Sequence, residues 1–533
     1  KKGNIVVAKL VTWEDPTERP VGILTEILGN SNDKDITFKI IAKTKGLPLQ
    51  FSRTVRNEAD QFKEPNIQKV KQERSDFQNL LCFTIDPEGA KDFDDALSLK
   101  QRDDGLFELG VHIADVSYFV EQGSALDREA EERGASVYFV HQVIPMLPEK
   151  VSNKLCSLVL NKPRLAFSII MVVDSNGSVR DFSIQESIIK SRYRLTYNLV
   201  ERILDGKSHP LSATLHILHL LTQALRKKRE AAGSIDFDIP EPVFHLDENG
   251  IPYEVKPSER LESHRLVEEA MLLANRTIAR YIVHKEKETG KQWPFIYRIH
   301  EQPPKEEVVD FLELLHTLGI PYKVDDSIKP EDYKNILLIV ENLEYKDFVE
   351  KVALRSMTKA RYSILNQGHF GLAFDAYTHF TSPIRRYPDL IVHRLIKEYL
   401  SLSTAPENGQ KKEKLEDVCR KSTEREAVSV EAERDYSKIK ALEFLSQKTG
   451  NIYSGIISGI VSFGVFVEIT RFMVEGLIPL SVMKDDYYEY DRDTYCLKGR
   501  NTGKSYRLGD TVTIKVKEIS IEKRQALFEL QDT

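Results

Sequence analysis

A chain of 533 residues exceeds what one hydrophobic core organises, and 41% hydrophobic with 30% charged residues is the balance of a folded multidomain protein. A net charge of −6 excludes a generally basic coat but not local basic patches, and no apolar run reaches the ~18 residues of a membrane span. Four scattered cysteines, Cys82, Cys156, Cys419 and Cys496, exclude a disulfide framework and a Cys-x-x-Cys zinc site, and fit a reducing cytoplasm.

Residues 5–8, 21–24 and 36–41 are short β-rich runs separated by turns such as 29–33, and predict a small antiparallel barrel. Lys and Arg outnumber Asp and Glu over residues 1–75, which favours an oligonucleotide-binding barrel. Residues 55–78 read as a polar, helix-containing linker.

Next comes the densest chemistry in the chain. Asp86, Asp92, Asp94 and Asp95 fall around a turn made by Pro87 and Gly89. Phe83 and Ile85 lead in as a strand, and Ala96, Leu97 and Leu99 lead out as another. Four negative charges at the mouth of an apolar core repel one another unless a cation sits among them. Hard oxygen donors suit Mg²⁺ or Mn²⁺.

From about 79 to 445 the pattern is α+β. Strands are expected at 110–114 and 165–173. Amphipathic helices are expected at 259–285, after Pro304, and over 345–363. Within this stretch, residues 377–394 combine aromatic, hydroxyl and basic side chains. Arg385 and Arg386 follow a Ser-Pro turn, and a helix opens after Pro388. The arginine fork matches phosphate oxygens, so with an acidic metal loop it points to phosphoryl chemistry. Residues 403–414 read as a polar excursion before a further helix to about 447.

After Gly450 the sequence is β again, with strands at 452–460, 464–469, 475–479, 511–516 and 526–530 and glycines where a small barrel bends. Phe463 and Phe466 bracket a glycine. Lys498, Arg500, Lys504 and Arg507 form a loop without acids. Stacking aromatics beside basic loops hold single strands, although one of the two phenylalanines is expected in the core.

The segments Asp86-Pro-Glu-Gly-Ala-Lys-Asp92-Phe-Asp94-Asp95-Ala and His379-Phe-Thr-Ser-Pro-Ile-Arg385-Arg386-Tyr resemble the catalytic domain of the ribonuclease II/ribonuclease R (RNB) family. The stretches around Asp115, Tyr138 and Glu433 also resemble it, and the β-rich flanks resemble its cold-shock-type and S1-type barrels. The wording is nearest the ribonuclease R branch. That branch usually carries a further N-terminal segment, so a chain lacking that region is expected.

The resemblance implies a multidomain fold, an α+β RNB catalytic domain flanked by OB-fold barrels. The expected limits are 1–75 for the cold-shock-type domain and linker, 76–447 for the catalytic domain and 448–533 for the S1-type domain. It implies a processive, metal-dependent 3′-to-5′ exoribonuclease that releases nucleoside 5′-monophosphates. Metal ligation falls on Asp86, Asp92, Asp94 and Asp95. Catalysis falls on Asp94, Arg385 and Glu433, with Arg386 not separable from Arg385 by sequence. RNA contacts fall on Tyr138, Tyr197, Phe237 and Glu269, with Phe463 and Phe466 on the S1-type barrel. The expected partner is single-stranded RNA with a free 3′ end, or structured RNA with a 3′ overhang, bound by a monomer. Two Mg²⁺ ions are the expected cofactor, with Mn²⁺ the alternative. A silent RNA-binding protein and an endoribonuclease are the rival readings.

Overall fold

The fold is built outward from five strands rich in β-branched and aromatic residues: Ser75–Asp86, Asp95–Gln101, Phe107–Ala114, Pro163–Val173 and Val179–Thr196. In the computed structural model, which describes residues 3–13, 17, 19–237, 239–325, 327–343, 345–406, 409–491 and 496–531, they close into a barrel. Neighbours are antiparallel, except that the first strand pairs parallel with the last and brings Asp86 opposite Thr196. The strand Phe107–Ala114 is buried over its last six residues rather than alternately, because helices cover the barrel outside. The helices Glu262–Thr289 and Tyr387–Leu400 supply Leu266, Ala270, Ile278, Leu390 and Ile396 to the same core.

The helix Gly409–Ser446 has 38 residues, about 57 Å at ~1.5 Å per residue. Leu415 and Val418 enter the catalytic core, Tyr436 and Ile439 a second cluster, and Leu442 and Leu445 the C-terminal core. One rod thus indexes three cores against each other.

The N-terminal region departs from expectation. The described part of residues 3–52 is an antiparallel hairpin, Asn4–Thr12 with Val21–Asn30, followed by a helix rather than a closed barrel. Residues 36–41, expected as a strand, belong to the helix Ile36–Thr44. Ile41 and Ala42 share its inner face and pack on Val137, Phe139 and Tyr436. A short apolar run is compatible with either periodicity, and the tertiary partner decided.

The third expected helix also stops early. It spans Lys346–Arg355, and Arg361–Ser363 is a strand paired with Tyr297–Ile299. Together with Lys305–Thr317 and Pro330–Val340 it forms a helical insertion with its own core, centred on Phe311 stacked on Tyr333.

All five expected C-terminal strands form. Ile452–Val461, Gly464–Ile469, Val474–Pro479, Thr511–Ser520 and Gln525–Leu530 close a second barrel. Gly476 permits this closure, because a Cβ there would lie 2.4 Å from the ring of the buried Phe528. A three-stranded sheet over Tyr488–Asp491, Cys496–Gly499 and Ser505–Arg507, not foreseen from sequence, is inserted before the fourth strand. All four cysteines are buried. Among the described residues, no helix is long and apolar enough to cross a membrane.

Candidate active site

The acidic loop is held by its backbone, so its side chains need not hold it. Asp86 ends one barrel strand and Asp95 begins the next. Between them, buried Phe93 anchors the chain: its N–H donates to Ser157 Oγ (2.9 Å), and its carbonyl accepts from Leu158 N–H (3.0 Å). The Asp94 carbonyl accepts from Ala114 N–H (2.8 Å). Arg194 donates to the carbonyls of Glu88 (2.6 Å) and Ala90 (3.3 Å), which pins the turn.

Asp94 is 5% exposed. Its Oδ1 accepts from Ile384 N–H at 2.9 Å, a bond across 290 positions of sequence. Its Oδ2 has no hydrogen-bond partner and lies 3.8 Å from Arg385 Nε. Asp86 Oδ2 is likewise buried and unpartnered. Burial lifts the Asp94 carboxyl well above the usual range, against the pull of Arg385. Asp86 is raised by burial and by the neighbouring Asp95, and Asp95 is raised by burial. These carboxylates are poorly solvated and mutually repelling.

That is the condition a hard cation relieves, and the donor set fits one: oxygen ligands only, two of them buried without a partner. Among the described residues no three His, Cys, Asp or Glu side chains already converge as a coordination shell. The fit rests on the donor chemistry and the orphaned oxygens.

The arginines separate cleanly. Arg385, with 46% of its side chain exposed, faces the aspartates. Arg386 turns the other way and donates to Asp389 Oδ1 at 2.7 Å. The loop carrying them is sewn to a third segment: Ser136 N–H donates to the Arg385 carbonyl and Tyr387 N–H to the Gly134 carbonyl, both at 2.9 Å. This places Tyr138 over the cluster, where its hydroxyl donates to Asp92 Oδ2 (3.3 Å) and its N–H to Glu433 Oε1 (2.8 Å). Glu433 comes from the long helix, and its carboxyl is raised by burial despite that bond. Tyr197 follows Thr196, opposite Asp86 in the barrel register, and its hydroxyl is raised by burial and by Asp95 and Asp86. One face of its ring is covered by His264, with centroids 4.1 Å apart.

Two expected contacts belong to a neighbouring layer. Glu269 is 5% exposed and sealed against Arg229, which donates to its Oε1 from Nε (3.1 Å) and Nη2 (2.6 Å). Its Oε1 is therefore committed to Arg229 inside the protein. Phe237 packs on the core of the helical insertion, and its carbonyl accepts from Arg260.

On the C-terminal barrel neither phenylalanine is core. Phe463 is 58% exposed in a turn, and Phe466 alternates outward between the buried Val465 and Val467. The basic loop is not free of acids in space, since Arg500 pairs with Glu489 and Lys504 with Asp485. These acids come from the unforeseen sheet and the turn before it.

Sequence reading missed Arg194, Asp389, His264 and the Ile384 N–H. Asp389 sits inside the quoted arginine stretch and was within reach; a backbone N–H and a histidine with no spacing signature were not.

Acidic carboxylates facing a half-exposed arginine, on one β-barrel with a second small barrel beside it in the chain, define a phosphodiester-processing enzyme of nucleic acids. Comparison with known proteins narrows this. The RNB domain profile matches residues 74–402, the S1 RNA binding domain 446–530 and the cold shock domain 1–52. Ribonuclease R of Aquifex aeolicus is 38% identical over 99% of this chain and 75% of its own length. Mycoplasma genitalium RNase R superposes with TM-scores of 0.93 in complex with ribose-methylated single-stranded RNA and 0.87 in complex with double-stranded RNA. Those structures are 28% and 26% identical, and the match covers 99% of this chain and 83% and 89% of theirs. The chain belongs to the RNB family, in its ribonuclease R group. Its activity is that of a 3′-to-5′ exoribonuclease, and enzymes of this family depend on metal ions.

Proposed function

We propose that the acidic loop and Arg385 together hydrolyse the 3′-terminal phosphodiester of RNA, releasing nucleoside 5′-monophosphates processively. The observation that carries this reading is Asp94: a buried carboxylate tied through Oδ1 to Ile384, with an unpartnered Oδ2 turned to Arg385.

Asp86, Asp92, Asp94 and Asp95 would hold two Mg²⁺ ions, or Mn²⁺. Such ions acidify a bound water and neutralise charge on the departing oxygen. Arg385 offers N–H donors where charge builds on the non-bridging oxygens. It is the catalytic arginine in this reading, because Arg386 is already committed to Asp389. Glu433 fixes the backbone of Tyr138 and thereby the ring over Asp92. Tyr138 and the open face of Tyr197 stack bases without reading their edges, so sequence preference is weak. Phe237 lines the approach from the insertion side. Glu269 acts through Arg229 rather than on the nucleotide. Phe463 and Phe466 supply an outer stacking surface.

Both single-stranded RNA with a free 3′ end and structured RNA with a 3′ overhang are substrates in this reading. The solved M. genitalium complexes with single- and double-stranded RNA support it. The chain acts as a monomer in the cytoplasm.

The test is Asp94→Asn on a 5′-labelled RNA. Cleavage is lost while RNA affinity stays within a few-fold of wild type. Degradation at the wild-type rate would overturn the assignment.

A further inference from the structure

Among the buried carboxylates that the proposal above does not use, one lies inside the arginine loop's own network. Asp389, on the first turn of the helix Tyr387–Leu400, is fully buried. Its Oδ1 accepts two donors: Ser382 N–H at 2.8 Å and Arg386 Nη2 at 2.7 Å. These donors sit at the two ends of the Ser-Pro-Ile-Arg-Arg turn. The turn is closed internally by Arg386 N–H to the Ser382 carbonyl (2.9 Å), and Arg385 Nη2 donates to Ser382 Oγ (3.2 Å). Ile384, in the middle, reaches Asp94. One carboxylate oxygen therefore gathers both ends of the loop whose centre touches the acidic cluster.

We propose that Asp389, with Arg386 as its counter-ion, is a positioning residue for Arg385. This rests on Arg385 being the arginine that faces the scissile phosphate. Burying a carboxylate and a guanidinium is costly, and a loop needing only stability could use apolar packing instead. An ion pair gives directional bonds, and these fix where the Arg385 guanidinium lies relative to Asp94. Asp389 Oδ2 and Arg386 Nε remain unpartnered, so the pair is not saturated by its surroundings. A shift of about 1 Å in such a donor costs on the order of 10²-fold in rate.

The test uses the full chain. Asp389→Asn retains an oxygen for Ser382 N–H but removes the charge opposite Arg386. Because this leaves a cation only 20% exposed without its counter-ion, Asp389→Asn/Arg386→Gln is measured beside it. In both variants steady-state kcat on single-stranded RNA falls at least 10-fold, KM stays within twofold, and the amides of 382 and 384–386 exchange faster with deuterium than in wild type. In an Arg385→Ala background the further loss from Asp389→Asn is under twofold, because the residue it positions is gone. The same background separates the two readings: if Arg385→Ala itself leaves kcat unchanged, the assignment of Arg385 fails. The positioning role is overturned if Asp389→Asn costs as much with or without Arg385. It is also overturned if the double variant regains wild-type kcat, or if exchange over 382–386 is unaltered.

Discussion

Asp115 follows the barrel strand Phe107–Ala114 and is completely buried, yet carries a charge. Burial would raise its carboxyl, but Lys397 and Arg74 beside it hold it well below the usual range. Lys397 Nζ lies 2.8 and 2.7 Å from its two oxygens, and Arg74 Nη2 lies 2.6 Å from Oδ2. Arg74 immediately precedes the strand that ends in Asp86, and Lys397 lies on the helix that follows the arginine loop. The cluster therefore clamps the two halves of the active site. Asp115→Asn leaves two cations, 6% and 18% exposed at their side chains, sharing Glu186 alone. Removing one member of a buried pair costs about 3–5 kcal/mol. Glu186 already touches both cations, so the lower end applies, about 3 kcal/mol. That is on the order of 100-fold in an opening equilibrium.

The readout is native-state amide exchange over Phe107–Ala114 in the full chain, which reports the barrel rather than a multidomain average. At pH 7 the variant exchanges on the order of 100-fold faster. The sign with pH follows from the depressed folded-state value: the stabilisation is present above the unfolded value near ~3.9 and is lost as pH falls toward the folded one. The gap between wild type and variant therefore narrows below pH ~4. Equal protection at pH 7, or a gap that does not close in acid, would refute the clamp.

Further outcomes follow from the site and from the C-terminal barrel. Because Asp86, Asp94 and Asp95 are held above the ordinary range, chiefly by burial, Mg²⁺ binding releases protons and tightens as pH rises from 6 to 8. Calorimetric titration in buffers of different ionisation enthalpy measures this. The same raised carboxyls favour the metal-free fold below the unfolded value near ~3.9, so in EDTA their contribution to the melting temperature declines as pH rises above it, and Mg²⁺ restores it. Phe463→Ala lowers RNA affinity on the order of 5- to 150-fold, a loss of ~1–3 kcal/mol, without moving the melting temperature, because the ring is exposed. Equilibrium binding to a single-stranded RNA with the Asp94→Asn protein as background checks it.

The charged motifs of this molecule stand out in its sequence more plainly than the strand pairing of its framework. Four aspartates around a Pro-Gly turn, and two arginines after Ser-Pro, declare themselves because few structures tolerate such charge density without a use. The C-terminal barrel was legible because its strands follow one another with glycines at the bends. The catalytic barrel was not, since Ser75–Asp86 pairs with Val179–Thr196, a parallel partner beyond three other strands. The helix Ile36–Thr44 was misread because a six-residue apolar run carries no decisive period. Glu269 and Phe466 show the limit at single residues. A glutamate on a helix gives no sign that Arg229 encloses it, and an aromatic in a strand faces in or out according to a register set by its neighbours.

The bond from Ile384 to Asp94 also bears on how the enzyme comes into being. The strands flanking the acidic loop are made first, and the arginine loop only after some 290 further residues have been joined. Until then the aspartates face nothing that could act with them on a phosphate. On the proposed chemistry, placing the two halves of the site so far apart in sequence ties nuclease activity to the folding of the catalytic domain as a whole, since neither loop alone brings a carboxylate and a guanidinium to one phosphate.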